Sequence, residues 1–193
     1  MLQRLYDWTM RLAGHRHALW WLALVSFVES SVFPIPPDVL LVPMVLANRA
    51  KAWFYAGLCT IASVLGGLAG YAIGFYLFEA LARPLLEFYG LTDEFGEFAQ
   101  TYNEWGAWAV LVAGVTPFPF KVITIASGAT KLSLLIFILA SLIARALRFF
   151  AVAGLLYVFG PPIRNFIERR LGLVFTLALG LLIGGFVVAK YAL

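Results

Sequence analysis

The chain has 193 residues, of which 63% are hydrophobic and only 12% charged, with a net charge of +4. Soluble domains carry about 25% charged residues, and a fold of this size cannot hide so much apolar surface from water. The composition therefore excludes an ordinary soluble globular protein. It points to an all-α membrane protein, a single transmembrane domain over 1–193 with no room for a second globular unit.

Residues 1–17 mix Leu2, Leu5, Trp8, Met10 and Leu12 with Arg4, Asp7, Arg11 and Arg16. They fit a helix lying in the membrane interface with Trp8 at headgroup depth. A basic tail that only orients the protein fits equally well. His15 and His17 sit in this flank at a spacing unsuited to metal binding on a helix. No small-x-small cleavage site follows, so the N-terminus reads as an uncleaved anchor.

Residues 18–80 form a first unit. Ala18 to Phe33 is apolar apart from serines and Glu29, then Pro34, Pro36 and Pro37 interrupt it before Asp38, and a second apolar leg runs from Val39 to Ala47. Prolines break helices. The second leg is about 14 Å long at about 1.5 Å per residue, against a hydrocarbon core about 30 Å thick. The two legs are either one kinked crossing or a re-entrant hairpin. Basic residues at both ends (His15, Arg16, Arg49, Lys51) favour the hairpin, because basic flanks stay cytoplasmic. Trp53 to Phe78 is then a spanning helix, with Gly66, Gly67, Gly70 and Gly74 suited to close helix packing.

Residues 81–104 hold Glu87, Asp93, Glu94, Glu97 and Glu104 against Arg83 alone, as expected of an extracytoplasmic loop or helix. Thr92 with Asp93 and Glu94 reads as a helix N-cap followed by an acidic first turn. Residues 105–159 repeat the first design. The legs Trp105 to Val115 and Val122 to Ala129 flank a break carrying Pro117, Pro119 and Lys121, and a spanning helix follows from Leu132 to Phe159 with Arg145 and Arg148 inside it. Gly160-Pro161-Pro162 should end that helix. Residues 160–193 then give a basic cytoplasmic loop (Arg164, Arg169, Arg170) and a last transmembrane helix, Leu171 to Ala189. The fold expectation is an inverted repeat of re-entrant hairpin plus transmembrane helix, and broken segments at matching places in two halves mark a transporter site.

Glu29, Asp38, Lys121, Arg145 and Arg148 all fall at membrane depth. Unpaired, these five charges would cost about 12–18 kcal/mol on insertion scales, more than a typical fold's whole stability. They must pair or face water. The acids lie in the first unit and the bases in the second, so facing hairpins would bring opposite signs together. One reading is a buried ion network that only fixes geometry. The other gives Lys121, Arg145 and Arg148 an anionic headgroup to hold and gives Glu29 and Asp38 proton exchange. Arg145 and Arg148, three apart, share a helix face, and Arg suits bidentate phosphate binding. No Gly-x-Ser-x-Gly, His-Glu-x-x-His, phosphate loop or Cys/His cluster occurs, and Cys59 is lone packing in an apolar run. Neither an enzyme nor a metal or other cofactor is expected. The scattered basic residues exclude nucleic acid as a partner.

Phe27-Val-Glu29, Phe33-Pro-Ile-Pro-Pro-Asp38, Gly66-Gly-Leu-Ala-Gly70-Tyr-Ala-Ile-Gly74, Thr116-Pro-Phe-Pro-Phe-Lys121 running into Ala126-Ser-Gly128, and Arg145-Ala-Leu-Arg148-Phe-Phe150 together resemble the DedA family, also called SNARE-associated or VTT, and its YqaA-like branch in particular. The resemblance covers roughly residues 20 to 160. It implies a multi-pass protein of the bacterial inner membrane with two facing re-entrant loops, which moves undecaprenyl phosphate or another phospholipid between leaflets, in several members at the expense of the proton motive force. By motif, Glu29 and Asp38 match the acidic positions and Lys121 the basic residue after the second proline break. The family's Arg before that proline is missing from Ala113 to Thr116, so Arg145 or Arg148 would supply the basic group. The partners implied are membrane lipids, a lipid phosphate among them, and protons, with room for a homo-oligomer. The alternative function is a non-transporting scaffold for envelope integrity or membrane-protein assembly.

The charge distribution generates a topological prediction. Residues 48–52 and 160–170 should face one side of the membrane and 85–104 the other. In a Cys59→Ser background, single cysteines at positions 90 and 165 should react with an impermeant thiol reagent from opposite sides. Reaction of both from the same side would overturn the inverted arrangement.

Overall fold

The computed structural model describes residues 17–32, 36–116 and 118–169, with 161–169 described by backbone alone. The interfacial helix expected over 1–17, the last transmembrane helix expected over Leu171 to Ala189, and the breakers Pro34 and Pro117 lie outside the described residues, apart from His17. The described residues form helices and no strand: α1 (Ala18–Ser31), α2 (Asp38–Ala47), α3 (Ala52–Leu77), α4 (Arg83–Tyr89), α5 (Thr92–Val115), α6 (Phe120–Ala129) and α7 (Leu134–Arg169). A short 3-10 turn, Arg49–Lys51, precedes α3, and a π-helical turn, Phe78–Ala82, joins α3 to α4.

Two continuous helical stretches, Arg49–Tyr89 and Leu134–Gly160, are long and apolar enough to cross a membrane. Large apolar side chains such as Trp20, Ile61, Leu135 and Val158 point outward. In water that surface would be a liability; in lipid it costs nothing.

The contacts fix how the chain runs. Ser26 lies beside Cys59, Ser30 bonds Ser63 at 2.6 Å, and Phe27 packs on Gly66, so α1 and α3 run in the same direction. The chain therefore doubles back between them through α2. Accordingly Ala18 and Leu22 at the start of α1 share one core cluster with Met44 and Val45 at the end of α2. In the second half Tyr102 bonds Ser127 at 2.9 Å and Asn103 bonds the Thr130 carbonyl at 2.8 Å, which sets α6 antiparallel to α5. Gly106 packs on Leu132 and Gly114 on Ala144, so α5 and α7 run together. Each second leg crosses over to the other half's long helix. Asp38 of α2 meets Arg148 of α7, and Ile125 of α6 meets Gly74 of α3.

The glycine stripe of α3 makes this packing possible. A methyl group on Gly66 would strike the Phe27 carbonyl, one on Gly70 the Thr124 hydroxyl, and one on Gly74 the Ile125 carbonyl, while Gly67 has ordinary contacts with Phe137, Thr124 and Phe120. On the facing helix Gly128 has the same relation to the Tyr71 carbonyl. Small residues let backbones approach this closely, where packing rather than the hydrophobic effect joins helices in lipid.

Several elements depart from the sequence reading. The leg expected to start at Trp105 is the C-terminal part of α5, which begins at Thr92 and has 24 residues. Hydropathy marks where a helix meets lipid, and nothing between Thr92 and Glu104 breaks a helix. The residue at the N-cap of α5 is Leu91, with no side-chain cap bond, and Thr92 is the first helical residue; Asp93 and Glu94 do occupy the first turn. Of the loop or helix expected from residue 81, helix is what fills much of 81–91, where α3 continues through the π turn into α4 and turns at Gly90, whose φ is 69°. Finally, Gly160-Pro161-Pro162 does not end α7. The helix kinks at Phe159 and resumes to Arg169. Proline in the first turn of the resumed segment forfeits no hydrogen bond that the segment needs.

Gly66→Ala and Gly74→Ala should each lower stability by about 1–3 kcal/mol, because their new methyl groups meet backbone that cannot rotate away. Gly57→Ala, with nothing within 4 Å of the added carbon, should be neutral or slightly stabilising. Thermal unfolding in detergent checks the contrast.

Candidate functional site

The two proline-containing breaks meet. Lys121, at the start of α6, donates from Nζ to the carbonyl of Val32 at the end of α1 at 3.2 Å. Thr124 donates to the Ser30 carbonyl at 3.1 Å. Arg148 donates to the Thr116 carbonyl at the end of α5 at 3.4 Å, and to Asp38 at the start of α2. Four helix ends thus converge on one place. Pro36 and Pro37 shape the approach to α2, where the Pro36 carbonyl accepts from Val39 at 3.2 Å and the Pro37 carbonyl from Leu40 and Leu41 at 3.0 and 2.9 Å. Pro119 plays the equivalent part for α6, accepting from Val122 at 3.0 Å. The prolines set the breaks because a helix cannot pass through them with its hydrogen bonds intact.

The charged residues form two ion pairs, each across the two halves. Arg145 Nη2 lies 3.0 Å from Glu29 Oε2, with side-chain exposures of 0% and 12%. Arg148 Nη2 lies 2.8 Å from Asp38 Oδ2, with exposures of 19% and 28%. Glu29 also accepts from Ser30 at 3.0 Å. The guanidinium of Arg145 stacks 3.9 Å from the centre of the Phe120 ring. Such a cation–π contact is worth most where water is absent. Arg145 is therefore sealed from solvent, Glu29 nearly so, and the outer pair is more reachable. Lys121 belongs to neither pair and is partly exposed.

The site has unused capacity. Arg145 Nε and Nη1 and Asp38 Oδ1 are buried without a hydrogen-bond partner among the described residues. Arg145 is held by one nitrogen on one side and by an aromatic face on the other, which leaves further donors of its planar fork free. A carboxylate with one free oxygen beside an arginine with free donors can exchange partners without either charge being stranded. Among the described residues no cluster of His, Cys, Asp and Glu could hold a metal ion.

Sequence reasoning named Glu29, Asp38, Lys121, Arg145 and Arg148, and the structure brings all five to the converging helix ends. It gave no site role to Ser30, Ser63, Thr116, Phe120 or Thr124. Ser30 follows Glu29, and Thr116 and Phe120 lie in the proline motif, so adjacency was the available signal. Ser63 and Thr124 carried none, because single hydroxyl residues are common in apolar helices.

A family described as VTT domain matches residues 35–158. Among curated proteins, an uncharacterized protein of Haemophilus influenzae is 38% identical over 151 residues, covering 78% of each chain. An uncharacterized protein of Histophilus somni is 40% identical over 151 residues, again 78% of each. No solved structure matches the chain.

Breaking a buried ion pair from one side costs about 3–5 kcal/mol, whereas replacing both partners with apolar residues is often neutral. Arg145→Leu should therefore destabilise strongly, and Glu29→Leu/Arg145→Leu together should recover most of the loss. Asp38→Asn should cost less than Arg145→Leu, since its pair is partly solvated. Unfolding midpoints in detergent measure this, and a harmless Arg145→Leu would mean that Glu29 is not sealed from water.

Proposed function

The chain belongs to the VTT-domain, or DedA, family of membrane proteins, and from that premise we propose that it is a transporter, not an enzyme, moving an anionic lipid such as a polyprenyl phosphate or phospholipid between the leaflets of the bacterial inner membrane. The observation that carries the reading is the partly exposed Asp38–Arg148 pair between two helix breaks, with unpaired polar atoms beside it.

Under this reading the doubled-back pairs α1–α2 and α5–α6 are re-entrant hairpins entering from opposite sides, and hairpin plus long helix is an inverted repeat. The shared direction of α1 with α3 and of α5 with α7 supports it. The basic Arg49 end is cytoplasmic and the Gly90 end periplasmic.

A lipid phosphate approaching the helix breaks meets Arg148 and Lys121 first. Its oxygens replace Asp38 on Arg148, and guanidinium and phosphate match in a bidentate pair. Arg145 joins as the hairpins part, with its unused donors turned to the phosphate. The displaced carboxylates of Asp38 and Glu29 are then the groups that exchange protons. The two arginines are paired in both states, so neither becomes a bare charge in lipid. A second reading, a non-transporting scaffold, draws on the complete burial of Arg145: a sealed pair can serve only to hold the two halves together.

Purified protein in liposomes should bind and move a polyprenyl phosphate and ignore the neutral polyprenol. Arg148→Lys keeps the charge but loses the fork, and should weaken phosphate handling by about tenfold, one strong hydrogen bond's worth. Glu97→Gln, at an exposed position of α5, should have no effect. Equal handling of the two lipids would leave the scaffold reading.

A further inference from the structure

The linker between α2 and α3 and the linker between α6 and α7 each carry a cation that reaches across to the other half's long helix. Arg49 donates from Nη1 to the Tyr157 carbonyl at 3.1 Å, and its side chain lies against Gly160. Trp53, just after it, packs on Phe150 and Tyr157 with ring centres 5.9 Å apart in both cases. At the far end of α3, Lys131 pairs with Glu79 and sits 5.7 Å from the centre of the Phe75 ring. Glu79 is held in turn by Arg83 at 3.1 Å.

Both contacts fall where a long helix loses regular α geometry. Arg49 grips α7 on either side of the kink at Phe159. Lys131 grips the π-helical turn Phe78–Ala82. π turns inside helices recur at functional sites, and a kink marks where the regular hydrogen-bond ladder is already interrupted. The backbone of Lys131 adds an independent observation. Its φ is 57°, the only positive value on a non-glycine residue among the described residues. A lysine in that region is strained, whereas glycine would not be. What lysine offers in return is the side chain that reaches Glu79.

We propose that Arg49 and Lys131 are two clasps at opposite ends of the molecule, each fastening one half's linker to the other half's flexible helix joint, and that their alternate release opens the charged site to one side of the membrane at a time. This rests on the transport reading. Lys131 and Glu79 close the Gly90 end, and Arg49 with the Tyr157 carbonyl closes the Arg49 end. An exposed ion pair suits such a role because it is weak enough to break on each cycle.

The test reads access rather than transport. In a Cys59→Ser background, Thr116→Cys at the helix breaks is labelled with an impermeant maleimide applied to right-side-out or inverted vesicles. Lys131→Gly, which removes the clasp and relieves the backbone, should raise labelling from the Gly90 side by about two- to fivefold, the range a surface ion pair can move an equilibrium. Glu79→Gln should act in the same direction and Arg49→Gln should raise labelling from the opposite side, while Glu87→Gln, which touches Arg83 but not Lys131, should change neither. Lys131→Gly and Glu79→Gln report on one clasp independently, so the loss of one variant to misfolding leaves the other to decide. Unchanged labelling, or an equal rise from both sides, overturns the clasps. A polyprenyl phosphate that is neither bound nor moved, alongside sided labelling, overturns the lipid reading and leaves the clasps standing.

Discussion

A charge cannot stand alone in lipid. That constraint decides how the two halves of this chain meet. Glu29 and Asp38 come from the first half, and Arg145 and Arg148 from the second. Neither half could bury its own charges, because each carries one sign at that depth. Bringing the halves together cancels both debts at one place, and the helix breaks converge there because the charged residues stand in or beside them.

Close packing is what lets the pairs reach one another. α3 lies between α1 and α6 with backbone against backbone at Gly66 and Gly74 and backbone against the Thr124 hydroxyl at Gly70. Ser30 reports the result in a single residue: its hydroxyl meets Ser63 and Glu29, and its carbonyl accepts from Thr124. A larger residue in the glycine stripe would push α1 outward and carry Glu29 away from Arg145. The stability of the ion pairs and the smallness of the glycines are therefore one requirement seen at two positions.

Much of this was legible in the sequence, for reasons that differ by residue. Glu29, Asp38, Arg145 and Arg148 stood out because an ionisable side chain in an apolar run demands a partner. Gly66, Gly70 and Gly74 stood out by spacing, and the family resemblance placed the motifs in order. Which acid meets which base was not legible, since that depends on how two helices cross. A helix start near Thr92 was legible from its acidic first turn, but its unbroken run into the apolar leg from Trp105 was hidden, because hydropathy changes while helicity continues. The contacts of Arg49 and Lys131 were invisible, because a basic residue near a membrane boundary already has a sufficient reason to be there.

The central claim is that lipid phosphate and Asp38 compete for the same arginine. Binding of a polyprenyl phosphate to the Asp38→Asn variant in nanodiscs tests it most directly. Removing the competing acid while keeping its shape should tighten binding relative to the unmodified protein, even if turnover stops. Binding that is unchanged or weaker would contradict the account, and would mean that Arg148 serves Asp38 alone.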